Sequence, residues 1–127
     1  MVIALFEKHY KISAFITLIG AVAIFYISSL TFQNVSYTTN INSIFYHFFA
    51  FFCFAFFLQI SSLRGQKRFA IFMLVIIISI LYGVLDELHQ YFVPGRACTL
   101  FDMGIDSFGV IMASLIYFIR VEYKKIK

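Results

Sequence analysis

The stretch YGVLDELHQYFVPGRACTLFDMGIDSFGVIMA (82–113) decides how the rest of the chain is read. It carries Asp86, Glu87, His89, Gln90, Arg96, Asp102 and Asp106. Four of the protein's six acids fall inside it, in a chain that is otherwise apolar. The remaining sequence reads as scaffold that holds these residues at one level of a membrane.

Composition sets the class. Of 127 residues, 62% are hydrophobic and only 13% are charged. A soluble domain carries about 25% charged residues. The expected fold is all-α and integral to the membrane: a four-transmembrane-helix bundle forming one domain over 1–127, with no soluble module. The net charge of +4 is first a topology signal, because the basic residues cluster between apolar runs. No nucleic-acid motif is present, and the basic tail suits anionic lipid. Cys53 and Cys98 lack zinc-type spacing and are expected as free thiols.

Working outward from 82–113 gives the spans. No formally charged residue occurs from Ile12 to Leu63. That run is too long for one span of about 20 residues. The polar stretch QNVSYTTNINS (33–43) divides it into helices at 12–32 and 44–63. The first is longer than a secretory apolar core of about 7–15 residues and no A-x-A site follows, so a retained helix is expected. After the basic loop SSLRGQKR (61–68), the charge-free part of the third run stops at Leu85. Those residues reach only about 25 Å at ~1.5 Å per residue, short of a ~30 Å core. The third helix must therefore run through Asp86–Gln90, over 69–93, until Pro94-Gly95 stops it. The fourth, over 100–120, must likewise begin early enough to take in Asp102 and Asp106.

Loop charge orients the bundle. Basic residues flank the head, the second loop and the tail, which puts the N- and C-termini in the cytoplasm. Arg96 alone lies on the translocated side. The polar ends of the helices then converge at the outer leaflet of a bacterial cell (inner) membrane. His47 joins them near the start of the second helix, and Ser28 and Ser29 at the end of the first.

Helical spacing sorts the faces. Ser79, Gly83, Asp86 and Gln90 share one face of the third helix, with Glu87 and His89 at its margins. Asp102, Asp106, Gly109 and Ala113 share one face of the fourth. Small residues let helices approach closely in lipid, so this face is expected against the third helix. Exposing the acids to lipid would cost about 2.5–3.5 kcal/mol each near the core.

The pattern DELHQYFVPGR (86–96), followed by Asp102, Asp106 and Gly109, resembles the VanZ-like family of small bacterial membrane proteins. That family shows a Glu-x-x-Gln, a following Pro-x-Arg or Pro-Gly-Arg, and an Asp four residues before an Asn or Asp leading to Gly. Here these are Glu87, Gln90, Pro94-Gly95-Arg96, Asp102, Asp106 and Gly109. His47-Phe48 resembles the family's earlier His-Phe. The usual Asp-Lys four and three residues before that His is Ser43 and Ile44 here. The resemblance covers residues 28–113 and implies a link to the glycopeptide antibiotic teicoplanin. It implies no defined reaction.

The candidate ligand-binding residues are His47, Asp86, Glu87, Gln90, Arg96, Asp102 and Asp106. Glu87, Asp102 and Asp106 are the candidates for acid–base work. Asp102 and Asp106, one turn apart on one face, suit sharing a proton or holding a divalent cation, which His47 and His89 could complete. Carboxylates from separate helices suit positioning a head group or general acid–base action. The same residues also suit a fold-locking hydrogen-bond network. Arg96 suits a phosphate or carboxylate, or equally an interfacial position near lipid phosphates. Ser28 and Ser29 suit capping or packing more than nucleophilic attack. No metal is expected, since no His/Cys/acid spacing of metal type occurs. No cofactor is expected either, for want of a Gly-rich phosphate loop.

These residues suit a protein that binds or acts on a cell-envelope amphiphile and affects teicoplanin susceptibility. Its partners would be membrane lipids or a lipid-linked envelope precursor. A small transporter or proton-coupled module is the alternative; four helices are few for it, although a homo-oligomer would supply more. A non-catalytic membrane partner of an envelope complex is the third reading.

Overall fold

The structure, a computed structural model, describes residues 2–31, 41–96 and 98–126, the last three as backbone alone. Five helices follow one another among these residues: α1 (Val2–Lys8), α2 (Tyr10–Ser28), α3 (Ile41–Leu63), α4 (Phe69–Tyr91) and α5 (Leu100–Ile126). Helices α2 to α5 are each long and apolar enough to cross a membrane. At ~1.5 Å per residue, the 19 residues of α2 measure about 28 Å and the 23 of α3 and of α4 about 35 Å.

The length argument is met. Helix α4 carries Asp86–Gln90 in its closing turns, and α5 opens at Leu100 with Asp102 and Asp106 in its first two turns. The boundaries differ where local hydrogen bonding intervenes. Helix α2 stops at Ser28 rather than 32, and at its end Ser28 and Ser29 both donate their hydroxyls back to the Phe25 carbonyl (2.9 and 2.7 Å). Helix α3 starts at Ile41, three residues before the expected 44, since a first helical turn tolerates Asn42 and Ser43, whose N–H groups need no intrahelical partner. The rest of the expected polar connection, together with Phe32, lies outside the described residues. Helix α4 ends at Tyr91, two residues before 93, where the Phe92 and Val93 N–H groups fold back onto His89 and Gln90. A turn over Val93–Arg96 follows, closed by the Arg96 N–H on the Val93 carbonyl at 3.1 Å. Pro94 and Gly95 (φ 80°) occupy its centre, the residue pattern of a type II turn. Helix α5 continues past 120 through its charged tail.

The core lies between α3 and α5. Phe51, Ala55, Val110 and Ala113 are fully buried there. The closest approach is at Gly109: a Cβ at that position would stand 2.5 Å from the Phe48 carbonyl oxygen and 3.2 Å from the Phe52 nitrogen. The small-residue face of α5 therefore meets α3 at this level, where it was expected to meet α4. Against α4 it is Gly83 that makes room, its missing Cβ 3.2 Å from Asp106 Cβ. Tyr82 ties α4 to α2 by donating to the Ala21 carbonyl at 2.7 Å. Outward faces carry exposed Phe15, Val22, Phe45, Phe49, Leu85 and Phe108, a surface suited to lipid. Cys53 is on that outward surface and Cys98 is half-buried; both are free.

Apart from Arg96, the basic residues of the described helices and loops gather at the end opposite Asp86 and Asp106, and they do so with an organisation the sequence did not suggest. The head forms α1, which buries Glu7. Tyr117 donates to Glu7 Oε1 at 3.5 Å and accepts the Gly65 N–H at 2.9 Å, and Arg120 lies 3.9 Å from Glu7. Lys67 pairs with Glu122, and the Arg64 guanidinium stacks over the Tyr10 ring at 3.6 Å. Gln59, also unexpected, is fully buried and donates to Ser114 Oγ at 3.2 Å.

Candidate functional site

The site is built where the C-terminal ends of α2 and α4 meet the N-terminal ends of α3 and α5. His47 lies six residues into α3 and Asp106 six residues into α5, both about 9 Å along their helices at ~1.5 Å per residue. Asp86, Glu87 and Gln90 descend the inner face of α4 together with Ser79 and Gly83, and all five are buried. The 3.6-residue period dictates that face, and the polar groups on it have no other place in an apolar bundle.

At its centre, His47 Nδ1 lies 2.9 Å from Asp106 Oδ1 and 3.7 Å from Glu87 Oε1. Helices α3, α4 and α5 each supply one member of this group. Glu87 is fully buried and bridges two further partners. Its Oε1 accepts from Gln90 Nε2 at 3.3 Å, and its Oε2 accepts the backbone N–H of Thr99 at 3.1 Å. Gln90 Nε2 also donates to Asp86 Oδ2 at 2.9 Å.

Thr99 stands just before the first residue of α5. Its hydroxyl accepts the Asp102 N–H at 3.0 Å and donates to Asp102 Oδ2 at 2.7 Å. Asp102 thus completes a capping arrangement, and its negative charge sits at the positive end of the helix dipole. Thr99 is absent from the sequence-based set. The T-x-x-D spacing of Thr99 and Asp102 is a helix-start signal that could have identified it.

Arg96 leaves the Pro94-Gly95 turn and reaches α2. Its Nη2 donates to the Ile27 carbonyl at 2.9 Å and its Nε to the Ser28 carbonyl at 3.4 Å. A cation on the last carbonyls of a helix offsets the negative end of its dipole. Ser29 Oγ meets His89 Nε2 at 3.0 Å, and His89 stacks on Phe25 at 4.6 Å. His89 therefore belongs to the α2–α4 contact, apart from the central group.

Hydrogen-bonding capacity is left over inside the cluster. Among the described residues, Asp86 Oδ1, Asp102 Oδ1, Asp106 Oδ2 and Tyr46 Oη are buried without a partner. Buried carboxylate oxygens are costly to leave unmet. Outside the spans, Cys98 adjoins the cluster: burial first, and the Glu87 and Asp102 carboxylates second, push its thiol above the usual range.

The arrangement brings all seven candidate ligand-binding residues to one end of the bundle, six of them buried and Arg96 half-buried. Chemically it offers carboxylates from two helices, an imidazole between them, a guanidinium at the rim and unmet acceptor atoms. No curated protein and no solved structure matches the chain. A family model does, over residues 2–121, nearly the whole chain, and its description is VanZ/LLP1. The two helical faces, the Pro-Gly-Arg turn and the His47–Asp106 pairing are thus features of a chain that belongs to the VanZ/LLP1 family.

Proposed function

We propose that this protein is a multi-pass protein of the bacterial cell membrane, with both termini in the cytoplasm, that binds the head group of a cell-envelope amphiphile at the outer leaflet. The observation that carries the reading is the gathering of His47, Asp86, Glu87, Gln90, Asp102 and Asp106 within one buried layer near one end of the bundle, with Arg96 at its edge. Intramembrane ionisable residues are expensive and are retained where they bind or transfer something. The unmet carboxylate oxygens would accept from hydroxyl or amide donors of such a head group. The clustering of Lys67, Arg68 and Arg120 at the opposite end supports the orientation by the positive-inside rule. Membership of the VanZ/LLP1 family supports an effect on teicoplanin susceptibility.

The test is expression of wild type, Asp102→Asn and Glu87→Gln in a teicoplanin-sensitive host, with lipid analysis of the purified proteins. Wild type is expected to raise tolerance and to retain one lipid head-group class, and both variants to lose the two effects. Wild type behaving as the empty vector, with no retained head group, would sink the reading. A non-catalytic role in an envelope complex is favoured by one observation, the Glu87–Thr99–Asp102 chain, which locks the fold. Under that role the variants lower the folded amount and leave the effect per molecule unchanged.

A further inference from the structure

The central group has a composition that hydrogen bonding alone does not explain. His47 Nδ1, a Glu87 carboxylate oxygen and an Asp106 carboxylate oxygen lie within 4.8 Å of one another. Each comes from a different helix, and the three residues are 3%, 0% and 1% exposed. Donors around a cation held at about 2.0–2.2 Å stand roughly 3–4 Å apart. The His47–Glu87 distance of 3.7 Å falls within that spacing and the His47–Asp106 distance of 2.9 Å just short of it.

Two further observations point to an ion. Asp106 Oδ2, buried and without a partner among the described residues, belongs to the same carboxylate that meets His47. Asp102 Oδ1 is unpartnered as well, and the Asp102 carboxyl acts electrostatically on both His47 and Glu87. Moreover, Asp86 and Asp102 both act electrostatically on Asp106. Three carboxyl groups, of Glu87, Asp102 and Asp106, therefore act on one imidazole in a low-dielectric layer, where a bound cation would stabilise their ionised forms.

We infer that His47, Glu87 and Asp106 hold a first-row divalent cation, Zn2+ or Mn2+, inside the bundle. An imidazole nitrogen beside two carboxylates suits these ions, whereas Mg2+ and Ca2+ prefer oxygen donors throughout. Three protein ligands leave a coordination position open. That position would take an anionic oxygen of the head group, a step that rests on the function proposed above; the ion itself does not.

The experiment uses full-length protein in nanodiscs, stripped with chelator, reloaded with ZnCl2 or MnCl2 and passed through gel filtration for metal analysis. Wild type is expected to retain about one equivalent of one of the two ions. His47→Gln and Asp106→Asn should each lower affinity by at least about tenfold, while His89→Gln, in the α2–α4 contact, should not. A second measurement needs no variant: added metal should raise the thermal stability of stripped wild type in a saturable way. Absence of both retention and stabilisation in wild type overturns the inference, as does retention unchanged in both ligand variants. Stripped protein that retains a lipid head group but binds no metal overturns the ion and leaves the proposed function standing. Protein that binds metal but no lipid does the reverse.

Discussion

Glu87 Oε2 accepts the backbone N–H of Thr99 at 3.1 Å, so a buried carboxylate near the end of α4 fixes the start of α5. The Thr99 hydroxyl meanwhile holds the Asp102 N–H. One residue thereby joins the α4 acids to the α5 acids. Thr99→Val should remove the cap and lower stability by about 0.5–2 kcal/mol. Glu87→Ala should cost about 1–3 kcal/mol by orphaning that N–H, and Glu87→Gln less, since it keeps an acceptor oxygen. Thermal unfolding in detergent measures all three, and a Thr99→Val protein as stable as wild type would remove the cap from the account.

Gly109 tests the contact between α3 and α5. A methyl there would stand 2.5 Å from the Phe48 carbonyl oxygen, backbone that cannot swing away. Gly109→Ala is expected to destabilise by about 1–3 kcal/mol through overpacking. Gly104 has nothing within 4 Å of its missing Cβ, so Gly104→Ala should be neutral, or stabilising by up to about 1 kcal/mol through helix propensity. Unfolding of the two variants side by side decides it; equal stabilities would mean that the helices stand further apart.

How much of this was legible beforehand depends on the kind of contact. Period and length are local, so the face bearing Ser79, Gly83, Asp86 and Gln90 and the start of α5 at Leu100 could be read directly. The pairing of His47 with Asp106 spans 59 positions, and linear spacing holds no trace of it. For the same reason a metal-type donor set could not be seen as a motif. Gly109 announced close packing but not its partner, because a small residue fits any neighbouring helix. The Glu7–Tyr117–Arg120 group was missed because α1 is too short to show a period.

Arg96 should tolerate little change. Its two bonds to the end of α2 use the guanidinium fork. A lysine keeps the charge but cannot reproduce that geometry. Arg96→Ala is expected to lower stability by about 1.5–3 kcal/mol, the worth of charge-assisted bonds, and Arg96→Lys by about half as much. Equal losses in the two variants would show that geometry matters and charge does not; the readout is the unfolding midpoint in micelles.

Cys98 reports on both chemistry and sidedness. Its thiol lies above the usual range through burial and through the Glu87 and Asp102 charges, so its thiolate fraction at neutral pH is depressed. In a Cys53→Ser background, alkylation should be slow at pH 7 and accelerate as pH rises towards the raised value. Asp102→Asn should bring that acceleration to lower pH, by removing one of the charges that oppose the thiolate. With an impermeant maleimide on intact cells, labelling from outside is expected under the proposed orientation. Labelling only after lysis would invert the bundle.

The polar layer draws on α3, α4 and α5, and Arg96 adds the end of α2. Within α4 alone Gln90 meets one oxygen each of Asp86 and Glu87, whereas Glu87 Oε2 and Asp106 Oδ1 find partners only on other elements. An α4 or α5 inserted without its neighbours therefore leaves acceptor oxygens facing lipid, and docking of the helices meets part of that cost. The α4–α5 hairpin has an early remedy in the Glu87–Thr99 bond, which spans 12 positions. His47 has none until α3 and α5 meet. Until the helices meet, the chain exposes intramembrane carboxyl groups that the assembled bundle conceals.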